Sequence, residues 1–577
     1  MKRLYITLSI VTVGLLLTSC TKGFLSYNPK ASLSEDQLNT PDRVDKMVTS
    51  AYASLGNADW ETSSNTQWPM GSVRAEDSYK GGGGIPDQGE WNTYATFTNI
   101  TTDMGKANQM WVYYYEGIGR ANTALKLLRK LSGQEFPKKK EREAEVRFIR
   151  AHYYFNLKIL FKHIPWVDAK TSQDSLKYIS NRKYSSQELW DKIASDFQFA
   201  ADNLPPTQAQ VGRVNKYAAI AYLAKVRLYQ AYEQDDQNNV VNINKNRLQD
   251  VIDLTNKVIN SGQYGLFDDF AKNFLWKYEN GKEGVFEIQN SIDDGTPTGR
   301  LGTEYGLNYN MDPKYGCCSF NQPSQNMVNA FKTNSDGLPE FDTYNDSDLH
   351  AKDSTDFRNN TVDPRLDHTV GIPGHPFKYD PQFIDKVGWA RTPSVYGYFS
   401  PMKEIQLPSS PSFKAYGPFF ASSKNYVIIR YADVLLWKAE ALIKLGRQNE
   451  ALPIINKIRS RAKHSKDRLR YENGDYVSNY HIETYKPGTN INWTQKNAFE
   501  ALRWERRLEF AGEGVRFFDL VRWGITAEKL NAYFKEEMTK RDYLRGAHFT
   551  KNRDEYLPIP QQQINFSKGL YKQNPGW

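Results

Sequence analysis

Acidic residues recur at a regular spacing in residues 501–524, which read ALRWERRLEFAGEGVRFFDLVRWG. Glu505, Glu509 and Glu513 are four residues apart, so on a helix their carboxylates would share one face. Two carboxylates about 5 Å apart could serve as the nucleophile and the general acid of a retaining glycosidase. Such a pair has to flank a substrate, however, and a stripe on one helix does not provide that arrangement. The pattern permits catalysis without favouring it.

Arginines are interleaved with these carboxylates, and they favour a structural role. A guanidinium group is always charged and donates hydrogen bonds in a fork that matches a carboxylate, which suits it to pairing with buried acidic side chains. We therefore predict a structural motif of buried or half-buried ion pairs. Its members are Glu505, Arg506, Glu509, Glu513, Arg516, Asp519 and Arg522.

The sequence patterns of other common active sites are absent from the chain. It contains no His-Glu-x-x-His, no Gly-x-Ser-x-Gly and no phosphate loop ending in Gly-Lys-Ser/Thr. The four glycines at residues 81–84 are not followed by the lysine of such a loop, and His368 and His375 lack the spacing of metal ligands. We predict a protein that is not an enzyme and has neither a metal nor a cofactor.

The first twenty residues have the pattern of an export signal. Lys2 and Arg3 precede an apolar run over residues 4–17, and Leu-Thr-Ser then leads into Cys20. This run is short for a membrane-spanning helix. Because Leu-Thr-Ser-Cys resembles the bacterial lipobox, we predict that residues 1–19 are a lipoprotein signal peptide and that Cys20 is lipidated. The alternative is an ordinary signal peptide followed by an incidental cysteine.

Composition indicates a globular protein without a nucleic-acid partner. Aromatic residues make up 14% of the chain, which argues against disorder, and the formal net charge is +9 over 577 residues. Such a mild positive bias does not amount to a nucleic-acid footprint. Cys317 and Cys318 are the remaining thiols. A trans peptide would hold their Cα atoms about 3.8 Å apart, below the usual disulfide range, so we predict two free thiols.

Apolar residues recur at three- and four-residue spacing in several long segments, which predicts a mostly helical fold. The segments are 110–131, 141–161, 216–232, 246–266, 431–446, 448–462 and 501–524. They form pairs joined by short turns, and residues 431–462 resemble a tetratricopeptide unit of about 34 residues. We predict about four such helix pairs, which carry two long irregular loop regions at residues 57–109 and 291–423.

Motifs along the whole mature chain resemble those of the SusD/RagB family of outer-membrane nutrient-uptake lipoproteins. The most specific is ERRLEFAGEGVRFFDLVRWG at residues 505–524. The others, in chain order, are CTKGFLSYNP from Cys20, IGRANTAL (118–125), AEVRFIRAHYYFNL (144–157), FNQPSQNMVNAF (320–331), DGLP (336–339), DPRL (363–366), IIRYADVLLWKAEAL (428–442), INKIRSRA (455–462), LPIP (557–560) and QNPGW (573–577).

This resemblance implies a SusD-like fold and a lipoprotein anchored to the outer membrane, facing the cell exterior. Family members are glycan-binding proteins, not enzymes, that deliver nutrient to a SusC-like, TonB-dependent β-barrel transporter. The implied organisation is a signal peptide (1–19), an N-terminal helical region (20–270) with the loop segment 57–109, and a C-terminal region (271–577) with irregular loops 291–423 and helices 428–524. Juxtaposition of the motifs suggests the ion-pair partners Arg430, Asp433, Glu440 and Arg459.

Two other functions stay open at the level of sequence: a lipoprotein glycoside hydrolase, and a SusD-like binder of peptides or other nutrients. For a glycan, a pocket should combine aromatic rings, which cover the apolar faces of a sugar, with a few polar groups. We predict ligand contacts in the two loop regions. The candidates are Trp68, Arg74, Asp77, Trp91 and Tyr94, followed by Tyr305, Tyr309 and Phe320. The alternative is that these rings form the core of the loops.

Replacing Cys20 with alanine should release the protein from the membrane fraction, because the thiol that accepts the lipid is lost. Cell fractionation and mass spectrometry of the N-terminus would measure this. A Ser19→Ala control keeps the cysteine and should remain in the membrane. Wild-type protein that is unprocessed or fully soluble would contradict the prediction.

Overall fold

The structure is a computed structural model. It describes residues 39–56, 68–296, 299–352, 355–417 and 419–577. The predicted signal peptide, Cys20 and residues 57–67 of the first loop region lie outside the described residues, so their predictions stay untested.

Helices of very different length alternate with short strands. The α-helices are α1 (Pro41–Ala53), α2 (Gly89–Thr96), α3 (Gly105–Lys130), α4 (Lys139–Phe161), α5 (Gln173–Leu176), α6 (Ser186–Asn203), α7 (Lys216–Ala231), α8 (Lys245–Ile259), α9 (Gln325–Ala330), α10 (Asp356–Asn359), α11 (Arg365–Thr369), α12 (Pro393–Tyr396), α13 (Tyr431–Lys444), α14 (Gln448–His464), α15 (Gln495–Phe510), α16 (Arg516–Trp523), α17 (Thr526–Glu537) and α18 (Gln561–Phe566). A π-helical turn spans Trp68–Val73, and 3₁₀ turns span Phe270–Phe274, Trp276–Tyr278, Val387–Trp389 and Asp542–Leu544.

The strands form two-stranded ribbons. They are β1 (Ser78–Gly81), β2 (Tyr232–Gln234), β3 (Val240–Ile243), β4 (Gly284–Ile288), β5 (Phe320–Pro323), β6 (Thr361–Val362), β7 (Val370–Gly371), β8 (Pro376–Phe377), β9 (Asp380–Ile384), β10 (Ser400–Pro401), β11 (Phe413–Tyr416), β12 (Phe419–Ser422), β13 (Tyr426–Arg430) and β14 (Asn479–Tyr480). The pairs are β1–β5, β2–β3, β4–β13, β7–β10, β8–β9 and β11–β12, all antiparallel, and the parallel pair β6–β14.

Local signals explain where the long helices begin and end. At the start of α6, the Ser185 hydroxyl accepts a hydrogen bond from the Glu188 N–H (3.2 Å), and the Glu188 carboxylate accepts one from the Ser185 N–H (2.7 Å). The Asn215 side chain caps α7 in a similar way. Gly446, with φ of 77°, follows α13 and permits the turn into α14.

Successive long helices pack side by side. Helix α3 lies against α4, then α4 against α6, α6 against α7, α7 against α8, and α8 against α13, which also contacts α14 and α15. One hydrophobic core includes side chains from α3 to α17. The predicted mostly helical class is confirmed, and this order is compatible with tetratricopeptide-like pairs. The predicted division at residue 270 stays a prediction.

The two loop regions that looked irregular in the sequence are joined to each other. Strand β1, from the first region, pairs with β5, from the second, so that Ser78 lies opposite Pro323 and Gly81 opposite Phe320. The Ser324 N–H also donates to the Asp77 carbonyl (3.0 Å). Residues far apart in the chain therefore build one surface.

Glu509 lies at the centre of a buried ion-pair network. Its carboxylate contacts the guanidinium groups of Arg461 (2.5 Å), Arg430 (2.9 Å) and Arg365 (3.2 Å), and its side chain is fully buried. Neighbouring Glu505, also on α15, contacts Arg365 (2.6 Å) and Arg459 (3.1 Å). Burial alone would raise the pKa of Glu509, but the three guanidiniums outweigh it and hold that pKa far below its usual value.

The stripe of carboxylates is not confined to one helix, and this corrects the sequence interpretation. Helix α15 ends at Phe510, and Gly512, with φ of 76°, takes the chain into a turn. Glu513 therefore reaches Arg430 (2.9 Å) and Lys403 (2.8 Å) from a turn.

The remaining members of the motif are also paired and buried. Arg506 contacts Asp519 (2.7 Å), Arg522 contacts Asp519 (2.7 Å) and Glu440, and Arg516 contacts Glu76 (2.6 Å). Three of the four suggested partners, namely Arg430, Glu440 and Arg459, pair with this motif. The fourth, Asp433, accepts from the Arg430 N–H (3.0 Å) at the start of α13.

Glu509→Gln should lower the free energy of unfolding by roughly 3–5 kcal/mol, because three buried guanidiniums lose their shared counter-charge. Urea unfolding would measure the loss. Glu450→Gln, in the exposed Arg447–Glu450 pair, is the control and should change stability little.

The same variant should alter the pH dependence of stability. Since the folded pKa of Glu509 is depressed, its stabilising contribution is complete above the unfolded value of about 4.3 and is lost as the pH falls below it. The free energy of unfolding of the wild type should decrease as the pH falls below about 4.3, and in Glu509→Gln this decrease should be smaller. A variant with wild-type stability that abolishes some hydrolytic activity would contradict the structural role.

Candidate functional site

Two of the predicted ligand residues lie in the main core. Trp91 and Tyr94, both on α2, have no exposed surface, and their ring centroids are 5.8 Å apart. Burial raises the pKa of the Tyr94 hydroxyl. In this conformation neither ring has a face to offer to a ligand, so their position favours the core alternative. Direct ligand contact by these rings stays a prediction.

The two predicted polar contacts are buried as well, and they tie the loop to the helices. Arg74 donates to the Asp554 carbonyl (2.8 Å) and lies over the Phe517 ring at 4.0 Å; burial lowers its pKa to about 10. Asp77 faces Arg507 at 3.4 Å, and burial raises its pKa. Both side chains are engaged within the protein.

Three other predicted residues come together in one small cluster. Trp68 and Phe320 have ring centroids 6.5 Å apart, with Cys318 beside them, and Tyr305 packs against this cluster from a half-buried position. The Trp68 indole donates to the Glu304 carbonyl (2.9 Å). The last candidate, Tyr309, belongs to a separate cluster.

Cys317 and Cys318 form a disulfide, which corrects the prediction of two free thiols. That prediction assumed a trans peptide bond. The peptide bond between Cys317 and Cys318 is cis, and their Cα atoms are 3.1 Å apart. Cys318 is buried, and Cys317 is half-buried. The pair places sulfur, which is polarisable and weakly polar, beside the aromatic cluster.

The β11–β12 hairpin covers both clusters with alternate residues. Phe413 and Phe420 lie 5.5 Å from the Tyr309 ring, whereas Phe419 packs against the cluster of Trp68 and Phe320, as Tyr305 and Cys317 do. Tyr416 lies directly opposite Phe419 in the ribbon, on the same face, and is 37% exposed.

We call Tyr305, Cys317, Tyr416 and Phe419 the hairpin face. It joins aromatic and sulfur surface from three separate segments of the chain. Sequence reasoning missed Tyr416 and Phe419, although the aromatic-rich segments FKAY and FFAS on either side of a Gly-Pro dipeptide were a readable hairpin signal. A small cavity of about 20 Å³ beside Tyr305 adds the amides of Asn308 and Asn321, each with a buried oxygen that has no hydrogen-bond partner within the protein.

The glycosidase alternative receives no support from the carboxylates that suggested it. Glu505 and Glu509 are fully buried and are held by arginines, so neither can reach a glycosidic bond. The depressed pKa of Glu509 also keeps that group ionised, which is the wrong state for a general acid.

Two further findings concern the described part of the chain. No group of histidine, cysteine, aspartate and glutamate side chains there is arranged to hold a metal ion. Likewise, no helix among these residues is both long enough and apolar enough to cross a bilayer.

Family comparison accounts for most of the chain. A family model described as "SusD family" matches residues 282–577, and another, described as "Starch-binding associating with outer membrane", matches residues 23–228. The first match covers half of the chain, so the protein belongs to the SusD family. This membership confirms the resemblance read from the motifs.

Full-length relatives agree with that assignment. "SusD-like protein P2" of Formosa agariphila is 24% identical, with 98% of this chain and 99% of the relative covered. A SusD homolog from Bacteroides thetaiotaomicron superposes with a TM-score of 0.69 at 20% identity, covering 94% of this chain and 98% of the homolog. Surface glycan-binding protein A from the same species, solved in complex with laminarihexaose, gives a TM-score of 0.65 at 20% identity, with 93% and 99% covered.

Proposed function

We propose that this protein is a cell-surface lipoprotein of the outer membrane, without enzymatic activity, that binds an oligosaccharide and delivers it to a SusC-like, TonB-dependent transporter. The observation that carries the proposal is end-to-end similarity to SusD-like proteins, one of which is solved with laminarihexaose. The lipobox at Cys20 and the family description "associating with outer membrane" support the location.

The hairpin face is the ligand surface that we propose. Sugars have flat apolar faces, and packing such a face against an aromatic ring lowers the free energy because apolar surface is removed from water. Their hydroxyl groups need directed hydrogen bonds. Tyr416 and Phe419 supply rings, the Cys317–Cys318 disulfide supplies a polarisable edge, and the amides near Tyr305 supply polar groups. The half-buried Tyr305 is the predicted ligand residue that this surface retains.

Tyr416→Ala should weaken oligosaccharide binding by about 1 kcal/mol or more, roughly fivefold in Kd, with little change in melting temperature. Its ring is 37% exposed and so contributes little to the core. A glycan array with the soluble protein that begins after Cys20 would identify a ligand, and calorimetry would then measure the change.

Two controls separate ligand contact from folding. Tyr178→Ala removes a ring that is 74% exposed outside the hairpin face, and it should leave binding intact. Trp91→Ala should lower stability by about 3–5 kcal/mol, because it empties a fully buried site. Full affinity in Tyr416→Ala would refute the hairpin face, and an array that captures only peptides would refute the glycan ligand.

The transporter should copurify with the lipoprotein from the native host in mild detergent, since a stable interface of this kind buries well over about 1,000 Å² in total. Mass spectrometry of the captured fraction would identify a β-barrel protein. An unrelated lipoprotein with the same tag is the control. Recovery of no barrel protein would count against delivery to a transporter while leaving glycan binding untouched.

A further inference from the structure

A second cavity, of about 220 Å³, lies between α15, α17, the start of α16 and the segment around Phe341. None of its lining residues belongs to the hairpin face. A volume of only about 10–15 Å³ is enough for one water molecule, so this cavity has room for a small organic ring.

Three aromatic side chains form one corner of this cavity. The Phe341 ring meets the Trp504 ring edge-on at 5.8 Å and 84°, and the Tyr344 ring does so at 5.0 Å and 79°. Phe341 and Tyr344 are half-buried, and Trp504 keeps 6% of its surface exposed. The corner offers apolar surface on more than one side of an incoming ring.

Charged side chains line much of the remaining cavity, and its three arginines each already have a partner of opposite charge. Arg516 contacts Glu76 at 2.6 Å, and Arg503 contacts Glu500. Arg507 faces Asp77 and donates to the side-chain amide oxygen of Asn326 at 2.7 Å. A charged ligand would have to compete with these pairs.

Two buried polar atoms in the lining have no hydrogen-bond partner within the protein: Glu76 Oε2 and Arg503 Nε. Glu76 is only 4% exposed, and its other oxygen is occupied by Arg516. Although burial would raise the pKa of Glu76, Arg516 and Arg507 lower it to about 2, so the group is an ionised acceptor. Both atoms are shielded from solvent in this conformation, so a ligand reaches this acceptor and this donor only when neighbouring side chains of the lining move aside.

We propose that this cavity is a second carbohydrate site, one that takes a single neutral sugar ring. A neutral polyol can lay its apolar face against the aromatic corner and, once neighbouring side chains of the lining move aside, donate a hydrogen bond to Glu76 and accept one from Arg503 without breaking an ion pair. Leaving such buried polar groups unpaired has a cost that a hydroxylated ligand removes. The inference rests on the proposed function only in that neutral glycans must reach this surface.

Blocking variants test the site without removing its packed residues. Ala532 and Asp342 line the cavity from α17 and from the 341–344 segment, and both are exposed. Ala532→Trp and Asp342→Trp should fill the space while melting like the wild type. Lys535→Trp is the matched control, since Lys535 is exposed on the same helix but does not line the cavity.

Saturation-transfer NMR with methyl glycosides of neutral hexoses is the measurement. At least one glycoside should bind the wild type and Lys535→Trp, and each blocking variant should weaken it at least tenfold. The measurement is repeated in the Tyr416→Ala background, where the binding that remains reports this cavity. Wild-type affinity in both folded blocking variants would overturn the second site, as would blockable binding of free amino acids in place of glycosides.

The same data distinguish the two proposals. If the blocking variants bind normally while Tyr416→Ala loses the oligosaccharide, the hairpin face stands and the second site is overturned. If Tyr416→Ala keeps full oligosaccharide affinity while Ala532→Trp abolishes glycoside binding, the hairpin face fails and the second site stands.

Discussion

The buried charge of Glu509 constrains the structure around it more than any other single group. An ionised carboxylate with no access to water is stable only when several donors surround it, and here those donors come from α14, from β13 and from the 363–366 motif. Helix α15, which carries Glu509, can therefore dock in one way only, because a shifted register would leave three guanidiniums and a carboxylate unpaired. The aromatic residues around the network would tolerate several packings, whereas its charges would not. The pairing of Glu509 with its three arginines therefore fixes how the C-terminal helices pack against each other.

The network also reaches the loops that carry the proposed ligand surface. Arg507 and Arg516 lie in the same motif, and they pair with Asp77 and Glu76 just before β1. Strand β1 then pairs with β5, which leads back to the disulfide and the aromatic cluster. Loops can present a ligand surface only if a rigid scaffold holds them. In this protein buried ion pairs provide that support, so residues outside the hairpin face still determine where it lies.

Aromatic residues fill the core and, in the function that we propose, also contact the ligand, and burial separates the two groups. Most of the rings that stood out in the sequence, such as Trp91 and Tyr94, fill the core, whereas Tyr416 is partly open to solvent on a hairpin. A core ring and a contact ring have the same chemistry, and they differ only in what covers them. This distinction explains why the ligand residues suggested by composition and the surface proposed from the structure overlap so little. It also explains why Trp504, which directly precedes the ion-pair motif in the sequence, can form the wall of a second cavity.

Sequence by itself determined the helical class, the family and the identity of the ion-pair motif, because periodicity, the ordered motifs and the interleaved charges are local patterns. It also led to Arg430, Glu440 and Arg459 as partners, through the order of the motifs. Only the tertiary structure decided which groups meet Glu509, that Glu513 lies beyond the helix end, and that the two cysteines are joined. The hairpin face and the cavity beside Trp504 are likewise tertiary. Each joins residues that are far apart along the chain. Whether a side chain is buried depends on the distant segments that pack against it, and a local sequence pattern does not contain that information.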